Sequence, residues 1–254
     1  MPMKISFRNL IVLLIGLFIL QSCQSSEEKK KLEASKFFLK GNQKFAEKEY
    51  RDALKWYNES IEKQPDLSDA YYNRGLAYVE IDKMEEAYAD FNKAIALDPK
   101  FAQARFKKIE TLQNLNQLEK AMDEAEAFAK EFPDSSANFR LLGDVYLQNK
   151  KLNNAKLAYK RAIKLDSKNY EAMINEGVVY QEEGNLDSAE ICFKKVLSTG
   201  KYTDLVYNNL GYLEIQRKQW KLAKNWVDKA LDISPENELY LKNLKKIEDE
   251  SGLK

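Results

Sequence analysis

The sequence predicts an all-α fold, a solenoid of stacked helix pairs, and three observations carry that expectation. A glycine recurs at Gly41, Gly75, Gly143, Gly177 and Gly211, with successive members 34 or 68 residues apart. An alanine stands twelve residues after each register point, at Ala53, Ala87, Ala121, Ala155, Ala189 and Ala223. Glycine and proline are otherwise scarce, 9 and 5 among 254 residues, and they are the strongest punctuators of regular structure. A fixed period of this length marks a repeat architecture, in which each unit buries its apolar face on the next.

The N-terminal segment reads differently. Lys4 and Arg8 precede an apolar run from Leu10 to Leu20, and Gln21-Ser22 leads to Cys23. Eleven residues make about 16 Å of helix, against a bilayer core of about 30 Å, so the run is too short to span. A basic start, a short apolar middle and a small residue before the cut are the layout of an export signal, assigned to residues 1–22. "LQSC" resembles the bacterial lipobox: Leu20, Ser22 and Cys23 match it, while Gln21 stands where a small or aliphatic residue is usual. That resemblance implies cleavage before Cys23 and acylation of Cys23. Residues 23–33 then form a polar tether similar to those of Bacteroidetes-type surface lipoproteins. Position 24 is Gln, so the Asp of the usual inner-membrane retention signal is missing. Several acyl chains, at about 0.8 kcal/mol per buried CH₂, hold a chain firmly to a membrane.

From Ala34 the period divides the chain into residues 34–67, 68–101, 102–135, 136–169, 170–203 and 204–237. A glycine inside a helix costs about 1 kcal/mol relative to alanine. Its recurrence predicts close approach of two helices, with the periodic alanine on the partner helix. Phe37, Tyr71, Phe139 and Tyr207 in the first helices, and Tyr57, Phe91, Tyr159 and Phe193 in the second, are expected to fill the core around that approach. Tyr50, Met84, Leu118, Leu152, Leu186 and Trp220 are expected to close the corner between helices. Pro65, Pro99, Pro133 and Pro235 should stop the second helices, because proline lacks an N–H and clashes one turn back; Ser167 and Lys201 take that place elsewhere. In the third period Ile109 replaces glycine, Ala125 an aromatic and Phe128 a small residue, which predicts irregular curvature there. Residues 238–254 read as a capping helix with Leu239, Leu241, Leu244 and Ile247 on its apolar side.

A 34-residue period with Gly, Ala and Pro at these offsets resembles the tetratricopeptide repeat (TPR). The resemblance covers Ala34 to Asn237 and implies a right-handed superhelical solenoid whose first helices line a concave groove. Carried onto this sequence, the groove positions are Phe38, Asn42, Tyr72, Asn73, Phe106, Lys107, Arg140, Asn175, Asn208, Asn209 and Tyr212. A ladder of Asn offers donor and acceptor to an extended peptide, and the aromatics supply apolar contact. Some members of the family clamp a C-terminal carboxylate with two Lys, two Asn and an Arg. The corresponding positions here hold Phe38, Asn42, Asn73, Gln103 and Lys107, which keeps the two Asn and one cation.

Composition narrows the function classes. Lys and Arg number 41 against 40 Asp and Glu, a balance that argues against a polybasic nucleic-acid or membrane-surface binder, which would show one sign in excess. With no histidine in the chain, Ser-His-Asp and Cys-His catalysis and His-containing zinc sites are excluded. Cys23 and Cys192 alone cannot build a cysteine metal site. No catalytic residue, metal or cofactor is expected, and Cys192, between Ile191 and Phe193, reads as a small buried hydrophobe. The expected role is a lipid-anchored scaffold or assembly factor of the bacterial cell envelope, at the periplasmic or outer face of the outer membrane. It would bind a peptide segment or helix of an envelope protein. In architecture it resembles the outer-membrane TPR lipoproteins that help pilus secretins assemble. The alternative is a surface lipoprotein binding a glycan or small molecule through aromatics such as Tyr72 and Tyr212. An enzyme would have only a carboxylate pair near Glu110 and Asp144 to work with. Monomer and dimer are both open.

Overall fold

The computed structural model describes the backbone of residues 7–252 and the side chains of residues 26–252. The leader at 1–22 and the acylation at Cys23 therefore lie outside the described side chains. Among the described residues there are thirteen α-helices and no strand. They are α1 (Phe7–Ala46), α2 (Tyr50–Lys63), α3 (Ser68–Val79), α4 (Met84–Leu97), α5 (Ala102–Asn114), α6 (Leu118–Glu131) and α7 (Ser136–Gln148). There follow α8 (Leu152–Leu165), α9 (Tyr170–Glu182), α10 (Leu186–Leu197), α11 (Thr203–Gln216), α12 (Trp220–Ile233) and α13 (Glu238–Ser251). Two compact units contain them, Met1–Asn116 and Gln117–Lys254, and the boundary falls inside the third period.

In the first unit each helix packs on the next from α1 to α5, and α1 also reaches α3. The second unit repeats the scheme from α6 to α13, with the first helices α7 and α9, and α11 and α13, touching as well. The polar stretch after Cys23 is exposed helix in its described part, within α1, and Glu27 and Lys31 pair there one turn apart at 3.1 Å. Such a pair supports a helix modestly. No helix among the described residues is long and apolar enough to cross a membrane.

The corner residues behave as the sequence suggests. Tyr50, Met84, Leu118, Leu152, Leu186 and Trp220 are each the first residue of a second helix. Two residues earlier the backbone is left-handed in every period, at Lys48, Asp82, Asn116, Lys150, Gly184 and Lys218. A side chain in that conformation costs about 1–2 kcal/mol, and only glycine escapes the cost. Lys218→Gly should therefore raise stability by up to about 1 kcal/mol, read as a higher urea midpoint with an unchanged slope.

The glycine register has a different partner from the expected alanine. A Cβ on Gly75 would stand 2.7 Å from the Phe91 ring, and one on Gly177 would stand 2.6 Å from Phe193. Gly41 and Gly143 face Tyr57 and Tyr159 in the same way. The missing side chain is thus a seat for the ring sixteen residues later, and all four rings are fully buried. In the last period the seat is smaller: Gly211 faces Val227, with the Ala223 carbonyl beside it. The third period exchanges the sizes, with Ile109 at the glycine place and Ala125 at the ring place, both buried. Phe128 is buried too, and meets Phe132 edge-on at 5.3 Å.

A second pairing sixteen residues apart lies one position before each glycine, and its chemistry changes from period to period. Lys40 sits 4.4 Å over Trp56. Arg74 grips Asp90 with two hydrogen bonds of 2.7 Å. Leu142 and Ala158 are both buried, Glu176 acts electrostatically on Cys192, and Trp226 packs against the cluster holding Leu210. The aromatics of the first helices complete this layer: Phe37 stacks on Trp56 at 5.7 Å and Tyr207 on Trp226 at 5.6 Å. Tyr71 and Phe139 lie under Arg74 and Arg161.

Proline proves dispensable as a stop. α8 ends at Leu165 without one, just as α4 ends at Leu97 before Pro99. In both places an aspartate turns the chain: Asp98 accepts from the Lys100 N–H at 3.0 Å and Asp166 from the Lys168 N–H at 2.8 Å. A side-chain carboxylate that mimics a turn does the same work.

The capping helix packs through Ile247 and Leu244 as expected, but not through Leu239 and Leu241. Tyr240, Asn243 and Ile247 form its buried face, while Leu239 and Leu241 are 52% and 45% exposed. Asn237 sets that phase by accepting from the N–H groups of Leu239 and Tyr240. The Tyr240 hydroxyl fixes it further by donating to Asp204 at 3.2 Å.

Candidate partner-binding site

The residues assigned to a groove all lie on the first helices, and polar joints hold those helices side by side. In the first unit the Asn42 side-chain oxygen accepts from the Tyr57 hydroxyl at 2.9 Å and from the Asn73 amide at 2.8 Å. In the second, Asp144 Oδ1 accepts from the Tyr159 hydroxyl at 2.8 Å and from the Asn175 amide at 2.7 Å. The two arrangements occupy identical places in their periods. Each ties a first helix to its own second helix and to the next first helix.

This changes the reading of the asparagine ladder. Asn42, Asn73 and Asn175 spend amide groups on joints within the protein. Asn208 is only 2% exposed and accepts from the Asn243 amide at 2.8 Å, so it is a seam to the capping helix and no contact surface. Asn209 is half-buried on α11. A buried amide must find partners, and the next first helix is the nearest source of them.

The remaining groove positions divide by unit. Phe38 packs on Tyr57 with ring centres 6.1 Å apart, and Tyr72 lies between Phe91 at 5.8 Å and Phe101 at 4.9 Å. Phe106 is half-buried on α5, and Lys107 pairs with Glu110 at 2.7 Å. In the second unit Tyr212 packs on the cluster around Ile215 and Val227, beneath the Lys246 ammonium at 5.7 Å. Tyr72 and Tyr212 are therefore flanked by their own protein and half-buried.

Arg140 is the centre of a charged network. It donates to Asp144 at 2.6 Å and pairs with Glu171 at 3.0 Å. The Tyr202 hydroxyl donates to the other Glu171 oxygen at 3.0 Å. Tyr202 is left-handed, off the period's usual register, because α10 ends early at Leu197 and Gly200 reverses the chain. Sequence reasoning found Arg140 and missed Asp144, Glu171 and Tyr202 as its companions. The only hint was Lys201-Tyr202 where proline normally stands.

Burial sets the protonation behaviour here. It pushes the Tyr57 hydroxyl up to about 12 and the Tyr159 hydroxyl higher still, helped by the charge of Asp144. It also raises the Asp144 carboxyl, against the pull of Arg140, Tyr159 and Asn175. An acid whose folded pKa is raised binds protons more tightly in the folded state. Its contribution to stability thus falls as pH rises from the ordinary aspartate range through the folded pKa. Asp144→Asn keeps the acceptor, as Asn42 does in the first unit, and removes that titration. The urea midpoint of this variant should depend less on pH, from the ordinary aspartate range upward, than that of wild type. An unchanged slope would show that Arg140 holds the carboxyl at its ordinary value.

No other chemistry is assembled nearby. Glu110 and Asp144 each have their own cation, Lys107 and Arg140. Among the described residues no group of three or more Cys, Asp or Glu is placed to hold a metal. Cys192 is half-buried, and burial with Glu176 beside it pushes its thiol up to about 11, which leaves little thiolate at neutral pH.

Comparison with known proteins agrees with this geometry. Models of the tetratricopeptide repeat match residues 41–82, 68–101, 103–135, 141–169 and 170–199. The mitochondrial import receptor subunit TOM70 of Mus musculus is 26% identical over 212 residues, 80% of this chain and 35% of that protein. The chain thus spans about a third of that relative's length. The structure of Pseudomonas aeruginosa pilF superposes with a TM-score of 0.67 at 16% identity, covering 86% of this chain and 99% of the other. YrrB, described as a TPR protein with an unusual peptide-binding site, superposes with a TM-score of 0.52 at 24% identity, over 74% and 97% of the two chains.

Proposed function

This chain belongs to the tetratricopeptide repeat family, and on that premise we propose that it binds other proteins as a lipid-anchored scaffold or assembly factor of the bacterial cell envelope. Six copies of the repeat present their first helices as one binding row in each unit. A peptide segment or helix of an envelope protein is the occupant that suits such a row. The observation that carries this reading is the set of joints Asn42–Asn73, Asp144–Asn175 and Asn208–Asn243. They fix α1 to α3 in the first unit, and α7 to α9 and α11 to α13 in the second, so that half-buried Phe38 in the one, and Arg140 and Asn209 in the other, sit on preorganised surfaces instead of separate contacts, while Phe106 and Lys107 continue the first unit's row on α5. The receptor role named for TOM70 and the peptide site named for YrrB support the same class of task. Leu20, Ser22 and Cys23 support the anchor, through acyl chains on Cys23 at the outer membrane.

The test is affinity capture from gently solubilised membranes, comparing wild type with Lys107→Glu and Asn209→Arg. Neither residue belongs to a joint, so both variants should keep their helical circular dichroism. A defined envelope protein recovered by wild type, and reduced at least tenfold by either variant, supports the reading; a tenfold loss is about 1.4 kcal/mol of binding. Equal recovery by all three chains removes the first-helix row as the binding surface.

A further inference from the structure

The second helices of the second unit carry a pattern that the period does not explain. At one outward position the periods hold Lys55, Ala89, Asp123 and Asn225, but also Leu157 and Ile191. Among the described residues those two are the most exposed of the large hydrophobics, 69% each. Three and four residues further on, each is followed by two cations: Lys160 and Arg161 after Leu157, Lys194 and Lys195 after Ile191. The other periods hold Asn58-Glu59, Asn92-Lys93, Glu126-Ala127 and Asp228-Lys229 there. At this position of the period an aliphatic followed by a basic pair thus occurs twice, in adjacent periods, and in none of the other four.

The structure brings the two copies together. α9 packs against both α8 and α10, and Lys160 of α8 acts electrostatically on Cys192, the neighbour of Ile191. α8 adds Lys164 and contains no acidic residue. The acids near the patch are already engaged or recessed. Asp187 is held by Arg217 at 2.7 Å, Glu190 by Lys194 and Arg217 at 2.6 Å, and Glu176 is mostly buried, 4.0 Å from Lys160. Lys164 and Lys195 are exposed.

We propose that this face of α8 and α10 docks on an anionic lipid surface. Its aliphatics protrude, and a protruding side chain needs either a matching cleft in a folded partner or a deformable apolar layer. Lysine and arginine flanking such side chains are what an interface of acyl chains and anionic headgroups attracts. The charge complementarity is local, because the chain as a whole is balanced, and α6 at the start of the same unit is rich in acids.

The experiment uses the full chain with Cys23→Ser and Cys192→Ser and an environment-sensitive dye on Asn153→Cys, one turn before Leu157. A second preparation carries the dye on Ala89→Cys instead. Each is mixed with vesicles of phosphatidylcholine alone, or of phosphatidylcholine and phosphatidylglycerol, with brominated lipid as quencher. The expected result is a blue shift and several-fold quenching at position 153 with the anionic vesicles only. High salt should reverse it, Lys160→Glu with Lys194→Glu should abolish it, and position 89 should stay silent. No response at 153, an equal response on zwitterionic vesicles, or an equal response at 89 would overturn the proposal. So would a response to soluble polyglutamate in place of vesicles, which would assign the face to an acidic protein. A response that grows with chain concentration alone would assign it to a second copy.

Discussion

Gly177→Ile is expected to destabilise the chain by about 3 kcal/mol, because the new side chain would occupy the seat of the Phe193 ring. Phe193→Ala alone should cost about 3–5 kcal/mol, the usual loss for emptying a buried aromatic site. The double variant is the informative one. Ile109 and Ala125 already place a large residue where glycine stands and a small one where the ring stands. Gly177→Ile with Phe193→Ala should therefore lose less than the sum of the single changes, by about 2–3 kcal/mol. Urea unfolding followed by circular dichroism measures all four proteins. Strict additivity would mean that the glycine and the ring do not share one space.

Asp90→Ala is the second change with a large expected effect, about 3–5 kcal/mol. Arg74 and Asp90 are 18% and 7% exposed in their side chains and pair at 2.7 Å. Burial raises the Asp90 carboxyl despite the pull of Arg74. Burial also opposes the Arg74 charge, but the hydrogen bonds and charge of Asp90 override it and keep the guanidinium firmly protonated. Removing the carboxylate strands that cation between two helices, with only Asn58 and the faces of Tyr71 and Tyr78 for company. Arg74→Leu with Asp90→Ala reproduces the buried Leu142 and Ala158 of a later period, and should recover most of the loss. A buried pair exchanged for apolar residues of similar fit is often neutral. A double variant as unstable as Asp90→Ala would show that Arg74 contributes mainly through its rings and Asn58.

The local plan of each helix pair was legible because its signals lie within one period. Glycine, ring, corner residue and second-helix alanine are all encoded inside 34 residues, and each sits where elementary packing places it. The joints were illegible for the opposite reason. Asn42 and Asn73, or Asp144 and Asn175, belong to different periods, and neither residue type announces whether its amide will meet protein or water. Asn208 shows the cost of this: in sequence it is one more polar residue on a first helix, and in space it is buried under α13. The phase of that last helix was ambiguous because Leu239 and Leu241 look more apolar than Tyr240 and Asn243, and the capping Asn237 with the Tyr240–Asp204 bond turns the latter inward. Tyr202 was missed because the loop before α11 departs from the period, and a departure has no template. The charge network it completes with Glu171 and Arg140 therefore had no sequence signature beyond a missing proline.

The exchanged sizes at Ile109 and Ala125 have a consequence for how such a chain folds. Near-identical neighbours invite a helix to dock one period too early or too late, and such misassembly is the characteristic failure of repeat proteins. Along most of this array a slipped pairing would set a glycine against a foreign ring and fit almost as well as the native one. At the third period it would not. Ile109 against Phe91 or Tyr159 would collide, and Ala125 against Gly75 or Gly143 would leave a hole. One inverted period thus gives the array a fiducial mark, from which helix pairings in either direction are counted.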